Sequence, residues 1–83
     1  MNEVYYVQVR YRAENRWVAG AVSDERRAAA RLAPEVFRYL KNDRGRAPTE
    51  VRIVSITDLI VEGGEDALER ARADLRKRRQ WNR

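Results

Sequence analysis

The chain of 83 residues contains no cysteine and no histidine, which removes several kinds of chemistry at once. Without cysteine there are no disulfides, no thiolate metal ligands and no cysteine nucleophile. Without histidine the commonest general base and the commonest zinc ligand are also missing. The two serines, Ser23 and Ser55, do not lie in a nucleophile motif. We therefore expect a protein without catalytic activity and without a bound metal or cofactor.

Long apolar runs are also missing. No run approaches the roughly 20 residues that a membrane-spanning helix needs. The first twelve residues alternate apolar and polar side chains and lack the basic start and apolar block of a secretion signal. A membrane partner is therefore not expected, and the expected location is the cytoplasm.

The composition is that of a small folded domain. Apolar residues make up 43% of the chain and charged residues 37%, and the apolar residues recur with clear periodicities. A chain of this length buries only roughly 60–65% of the surface that its unfolded form exposes, so one modest core is expected. We interpret residues 1–83 as a single domain.

Two alternating segments at the start of the chain predict a β-hairpin. Residues 3–12 are rich in β-branched and aromatic side chains, which is typical of a strand with one buried face. After a polar break at residues 13–15, residues 16–22 resume the strand pattern. Gly20 lies inside this second strand, where a glycine indicates a bulge or the close approach of a helix.

A first helix is predicted from Ser23, whose hydroxyl fits an N-cap, to about residue 41. Pro34 lacks an amide proton and crowds the preceding turn, so we expect a kink there or two short helices that meet near Ala33. Gly45 is expected to supply a left-handed cap after the helix. The core-facing stripe at helical spacing comprises Ala29, Leu32, Ala33, Val36, Phe37 and Leu40.

Residues 51–56 predict a third strand with apolar side chains on both faces, as a central or a bulged strand would have. Residues 57–61 allow two interpretations, a turn at 57–58 or a strand that continues to Val61. The glycines at 63–64 then precede a final helix, residues 65–83. The order β-β-α-β-α predicts an α+β fold with a three-stranded antiparallel sheet and its helices on one face, the second helix lying beside the first or projecting.

The basic charge is concentrated at one end of the chain. Residues 1–69 hold eleven Lys/Arg and twelve Asp/Glu, a net charge of −1. Residues 70–83 hold seven Lys/Arg and the single acid Asp74, a net charge of +6. These values sum to the net charge of +5 for the whole chain. The C-terminal helix is therefore the segment that indicates a binding partner.

A helical projection of residues 65–83 separates an apolar seam from a basic ridge. Leu68, Ala71 and Leu75 form a narrow seam that is expected to pack on the domain. Trp81 lies off both stripes and is a candidate for stacking on a base. The candidate polyanion-binding residues are the ridge and one neighbouring lysine: Arg72, Arg76, Arg79, Arg83 and Lys77.

A second interpretation of this helix needs no ligand. Acids early and bases late in a helix complement its dipole. Pairs such as Asp74 and Arg78, at i and i+4, stabilise an exposed helix by about 0.2–0.5 kcal/mol. However, four consecutive bases at residues 76–79 exceed what the dipole requires, so both interpretations stay open.

The second face of the hairpin is another candidate site. It carries Tyr6 and Gln8 together with a secondary basic face, Arg10 and Arg12. Aromatic and arginine side chains on an open sheet bind single-stranded RNA, so Tyr6 is a second candidate for stacking. The alternative is that Tyr6 covers the edge of the core and the other side chains are solvated. The glycine- and aromatic-rich signature of RNA-recognition motifs is absent.

Two functions follow as hypotheses. The first is a non-enzymatic binding protein whose basic C-terminal helix contacts nucleic acid or a nucleoprotein complex. The alternative is a protein-interaction regulator or inhibitor that occludes an acidic surface of its partner. Phage- and plasmid-encoded antagonists such as anti-CRISPR proteins and antitoxins include many small domains without motifs, which is an analogy of size alone. A homodimer through a sheet edge is also possible.

Overall fold

The computed structural model describes the backbone of residues 3–81 and the side chains of residues 3–78. It shows an α+β fold in the predicted order β-β-α-β-α. The elements are β1 (Tyr5–Arg10), β2 (Val18–Ser23), α1 (Arg26–Tyr39), β3 (Glu50–Ser55) and α2 (Ile56–Trp81).

The three strands form one antiparallel sheet in the order β2-β1-β3. The predicted hairpin is confirmed, because β1 pairs with β2. The centre of the sheet is β1, however, so the interpretation of the third strand as central is wrong. β3 pairs with β1 in a regular register, which also rules out a bulge between these two strands. Its apolar side chains lie on both faces because both faces of the sheet are covered.

The helices lie on opposite faces of the sheet, which corrects the prediction that both lie on one face. Val7 and Val9 pack with Ala29 and Val36 of α1. Tyr6, which points to the other face of the same strand, belongs to a second cluster with residues of α2. β1 is consequently buried on both faces, whereas its alternating pattern indicated one buried face. The side chains that look like a solvated face are covered by α2.

Gly20 marks both a bulge and a close contact with a helix. The register between β1 and β2 shifts beside Val7 and Gln8, where Gln8 pairs with Ala19 and Val7 with Ala21. A Cβ atom on Gly20 would lie 2.5 Å from Val36 Cγ1 on α1. Both predictions from this glycine are confirmed, because the bulge turns the backbone towards α1 at a point where no side chain fits.

The start and interior of α1 differ from the prediction. Ser23 is not its N-cap; the Ser23 hydroxyl accepts the Glu25 amide at 3.2 Å in a turn that precedes the helix. Pro34 lies inside one continuous helix, so the division into two helices near Ala33 is wrong. Core contacts of Ala29 and Val36 on either side of the proline hold the helix on the sheet. The kink at Pro34 stays a prediction.

The loop after α1 is organised by Asn42. Its side-chain oxygen accepts the amides of Arg44 and Arg46 at 3.0 and 2.9 Å. Gly45 has the predicted left-handed conformation, with φ of 74°. It closes this loop rather than capping the helix, because α1 ends at Tyr39. Phe37, predicted for the core, is exposed beside the loop, so this prediction is wrong.

α2 begins directly after β3, so residues 57–61 form neither the turn nor the strand extension that the sequence allowed. Ser55 caps this helix, because its hydroxyl accepts the Asp58 amide at 3.1 Å. The predicted glycine break is confirmed at Gly64, which has φ of 71° and ψ of −170° within α2. Leu59 on one side of the break and Leu68 on the other are both buried in the same cluster. In the described part of the chain, no helix is long and apolar enough to cross a membrane.

Candidate functional site

The second half of α2 lies on the sheet through the predicted seam. Leu68 and Ala71 are buried in a cluster with Tyr6, Ala19 and Val54, and Leu75 packs against that cluster. The helix therefore neither lies beside α1 nor projects into solvent. Its position on the sheet decides which of its charged side chains point outward.

From residue 70 to residue 78, the exposed side of this helix half is basic. Arg72, Arg76 and Lys77, three of the predicted binding residues, are exposed. Arg70 is exposed as well and precedes Lys77 by seven residues, so both point in nearly the same direction. Arg70 was not among the binding residues predicted from the sequence, although its spacing from Lys77 indicates a shared surface. We call Arg70, Arg72, Arg76 and Lys77 the basic helix face. The predicted side chains of Arg79, Trp81 and Arg83 lie outside those that the structure describes.

Asp74, the single acid of residues 70–83, is turned away from the basic helix face and towards β2. Its carboxylate accepts the Ala19 amide at 3.0 Å and pairs with Arg16 at 2.6 Å, and its side chain is only 11% exposed. Arg78 also points to β2, where its guanidinium donates to the Gly20 carbonyl. The predicted pairing between Asp74 and Arg78 is thus replaced by contacts with β2. These contacts leave the outward surface of residues 70–78 without an acidic side chain.

Among the residues that the structure describes, Arg72 is the member of the basic helix face that has a side-chain partner. It donates to Glu69 at 3.1 Å, and both side chains are largely exposed. The hydrogen bond with Glu69 is the largest cause that raises the pKa of Arg72 above its ordinary value. An exposed pair of this kind contributes between about 0 and 1 kcal/mol, so an anionic ligand can compete with it.

The hairpin face does not form an open platform. Tyr6 is 4% exposed and Gln8 is 3% exposed, so Tyr6 is not accessible to a stacking base. α2 covers this part of the sheet, as the alternative interpretation of Tyr6 requires. Of the secondary basic face, Arg12 is exposed, whereas Arg10 is half-buried and bound to Glu50 at 2.5 and 2.8 Å.

The ring of Trp17 lies within cation–π distance of two arginines. The guanidinium carbon of Arg10 lies 4.7 Å from the ring centroid and that of Arg52 lies 4.3 Å from it. Arg52 also donates to Gln8 at 2.8 Å and binds both oxygens of Glu62, at 2.9 and 2.7 Å. Arg52, Glu50 and Glu62 were not among the site residues predicted from the sequence. The signal is the cross-strand pairing of Gln8 with Arg52, which requires knowing that β3 pairs with β1.

The Arg10–Trp17–Arg52 stack is electrostatically balanced. The hydrogen bond from Arg10 lowers the pKa of the Glu50 carboxyl, and that from Arg52 lowers the pKa of Glu62. Each guanidinium therefore already has a carboxylate partner and an aromatic face. This arrangement favours a structural clamp between β1, β3 and α2 over a site for an external anion.

The two serines have structural partners, and a concavity lies on the α1 face. Both serines accept backbone amides, as described for Ser23 and Ser55. Among the described residues, no group of three acidic side chains is placed to hold a metal ion. On the α1 face, a shallow groove of about 620 Å³ is lined by Pro34, Glu35, Phe37, Arg38, Tyr39, Ala47 and Pro48. Its most exposed aromatic residue is Tyr39, at 67%.

No protein-family model matches this chain, and neither a curated protein nor a solved structure matches it. The assignment of function therefore depends on the geometry and charge of the chain itself.

Proposed function

We propose that this protein is a non-enzymatic binding protein that contacts the phosphates of a nucleic acid, free or within a nucleoprotein complex, through the basic helix face. The single observation that carries this proposal is the orientation of Asp74. Its contacts with Ala19 and Arg16 remove the only acid of residues 70–83 from the outward surface. Four basic side chains are exposed on the same stretch of helix.

The geometry of the face suits an extended anion. Arg72 and Arg76 are separated by about 6 Å along the helix axis, because each residue adds about 1.5 Å. Two guanidinium groups at this separation can reach different phosphates of one backbone. The helix that carries them is held on the sheet by Leu68 and Ala71, so the face is presented by a rigid element. Release of counterions from the phosphates would supply much of the affinity.

The test is fluorescence anisotropy with labelled single-stranded DNA, double-stranded DNA and RNA over a series of salt concentrations. The variant is R76E/K77E, and the matched control is R27E/R31E on α1. Each double variant replaces two exposed basic residues with two acidic ones. The substituted residues lie on α2 in one variant and on α1 in the other, and these helices cover opposite faces of the sheet. R76E/K77E should lower affinity at least about tenfold and reduce the salt dependence of log K by roughly two units, whereas the control should retain most of the affinity.

The proposal fails if the unmodified chain does not bind any of the three nucleic acids at low salt. It also fails if R76E/K77E and R27E/R31E weaken binding equally, since the effect would then reflect net charge alone. Circular dichroism of each variant verifies that it is folded.

A protein-interaction regulator is the second candidate, and the groove on the α1 face favours it. Phe37, Tyr39 and Pro34 present apolar surface beside exposed charges there, a combination that is common in protein interfaces. A pulldown from nuclease-treated lysate separates the two candidates. Recovery of a protein partner that resists nuclease and is lost in a Tyr39→Glu variant would favour this second function.

A further inference from the structure

The two edges of the sheet differ in whether their outward backbone groups are already hydrogen-bonded. At the β2 edge, Asp74 accepts the backbone amide of Ala19, and Arg78 donates to the backbone carbonyl of Gly20. Side chains of α2 therefore occupy backbone groups that an added strand would need. An edge protected in this way does not pair with another chain.

The β3 edge keeps its backbone groups accessible. The Ile56 amide donates to the Val4 carbonyl at 2.9 Å. In an antiparallel ladder every second pair of opposite residues exchanges backbone hydrogen bonds. The pairs that do so between β1 and β3 are therefore residues 6 and 54, 8 and 52, and 10 and 50. Val51 and Ile53 alternate with these residues, so their amides and carbonyls point away from β1. No hydrogen bond to these four groups occurs among the residues that the structure describes. The outer side of β3 can therefore accept another strand.

We propose that β3 pairs in antiparallel fashion with β3 of a second copy of this chain, about a two-fold axis at Val51. The result is a continuous six-stranded sheet with the order β2-β1-β3-β3-β1-β2. This inference is independent of the function proposed for the basic helix face. A two-fold axis makes the contact closed, so association stops at the dimer.

The side-chain charges of β3 favour one register of pairing between the two copies. Ser55, the last residue of β3, directly precedes α2, so Val51 and Ile53 are the residues inside β3 that direct their backbone groups outward. Three two-fold registers pair these two residues with each other or with their own copies, centred on residues 51, 52 and 53. The register centred on Arg52 places two arginines opposite each other, and the one centred on Ile53 places Arg52 opposite the partner's Val54. The register centred on Val51 places Glu50 opposite the partner's Arg52, twice. Only the register centred on Val51 places opposite charges across from each other on both sides of the two-fold axis.

The charged pairs remain compatible with the contacts inside each chain. Glu50 already binds Arg10, and Arg52 binds Glu62. A carboxylate has two oxygens with about four acceptor positions in total, so Glu50 can accept from a second guanidinium. Val51, which is 39% exposed, would meet its own copy across the axis and become covered. The contact is small, so we expect a weak dimer.

The test compares equivalent substitutions at the two edges. Val51 and Val22 are the same residue type, both lie in edge strands and both are 39% exposed. Sedimentation equilibrium of the unmodified chain from about 1 µM to about 1 mM should show a reversible dimer. Val51→Lys, which places two ammonium groups at the axis, should shift association to at least tenfold higher concentration. Val22→Lys should associate like the unmodified chain.

Two further variants test the backbone pairing and the register. Val51→Pro removes an outward amide that the sheet inside the chain does not use, so it should abolish the dimer without unfolding the edge strand. Because the chain has no cysteine, Val51→Cys provides a single thiol that should form a symmetric disulfide, whereas Val22→Cys should not. A monomeric unmodified chain at about 1 mM overturns the proposal. A dimer that survives both Val51→Lys and Val51→Pro, or that Val22→Lys weakens equally, also overturns it.

Discussion

The carboxylate of Asp74 on α2 accepts the backbone amide of Ala19 on β2 at 3.0 Å, across 55 positions of sequence. The same carboxylate holds Arg16, just before β2, at 2.6 Å. The Asp74 side chain thus connects α2 to the edge strand β2. This contact orients the basic helix face and also protects the β2 edge.

Replacing Asp74 should therefore destabilise the fold. Asp74→Ala leaves the Ala19 amide without its acceptor and should lower the free energy of unfolding by about 1–3 kcal/mol. Asp74→Asn keeps a carbonyl oxygen for the amide but loses the ion pair, so its effect should be smaller. Urea unfolding measures both. Glu69→Ala, which removes an exposed pair with Arg72, is the control and should stay within about 1 kcal/mol. Equal losses for Asp74→Ala and Glu69→Ala would contradict this role.

Gly20 should not tolerate a side chain. Gly20→Ala would place a methyl group 2.5 Å from Val36 Cγ1 and 2.8 Å from Leu40 Cδ2, so overpacking should cost about 1–3 kcal/mol. A double-mutant cycle with Val36→Ala checks the cause. Because the second substitution removes the clashing atom, the double variant should be more stable than the sum of the two single effects predicts. Strict additivity in urea unfolding would show that this contact is not the reason.

Stability should fall in acid through Glu50 and Glu62. Hydrogen bonds from Arg10 and Arg52 hold the pKa of these carboxyls below their ordinary value of 4.5 in the folded chain. A lowered pKa in the folded state means that the stabilisation is present above the unfolded value and is lost as pH falls through the folded values. Urea unfolding between pH 7 and pH 3, compared with an E50Q/E62Q variant, measures this. The variant should lose less stability than the unmodified chain below about pH 4.5.

Arg52 should be sensitive to replacement by lysine. Its planar guanidinium stacks on Trp17 while it binds Gln8 and both oxygens of Glu62, a combination that an ammonium group cannot reproduce. Arg52→Lys should lower the unfolding free energy by about 1–2 kcal/mol. Arg72→Lys, at an exposed position with one carboxylate partner, should change it by less than about 0.5 kcal/mol. Thermal unfolding followed by circular dichroism distinguishes the two, and equal effects would contradict a special role for the stack.

Local sequence patterns were sufficient to predict much of the architecture. The α+β class, the hairpin, the bulge at Gly20, the break at the glycine pair and the seam of Leu68 and Ala71 were all predicted correctly. Each of these features depends on residues close together in sequence or on a single periodicity. For the same reason the exposure of Arg72, Arg76 and Lys77 followed from the helical spacing.

Contacts between distant segments were not predictable in the same way. The alternation in β1 suggested one solvated face, but α2 covers it, because Gln8 receives a hydrogen bond from Arg52 and can be buried. The helix at residues 56–63 was missed, because its β-branched start resembles a strand and its cap, Ser55, also belongs to β3. In both cases a partner far away in sequence reverses a local preference.

The sequence by itself determined which segments form strands and helices in most of the chain, and that its basic charge is concentrated in the last fourteen residues. It did so because backbone periodicity and charge are local properties. Only the tertiary structure decided that the helices lie on opposite faces, that Tyr6 is buried, and that Asp74 and Arg78 turn towards β2. The physical reason is that a hydrogen bond or a buried contact needs two partners, and here the second partner lies up to 58 positions away.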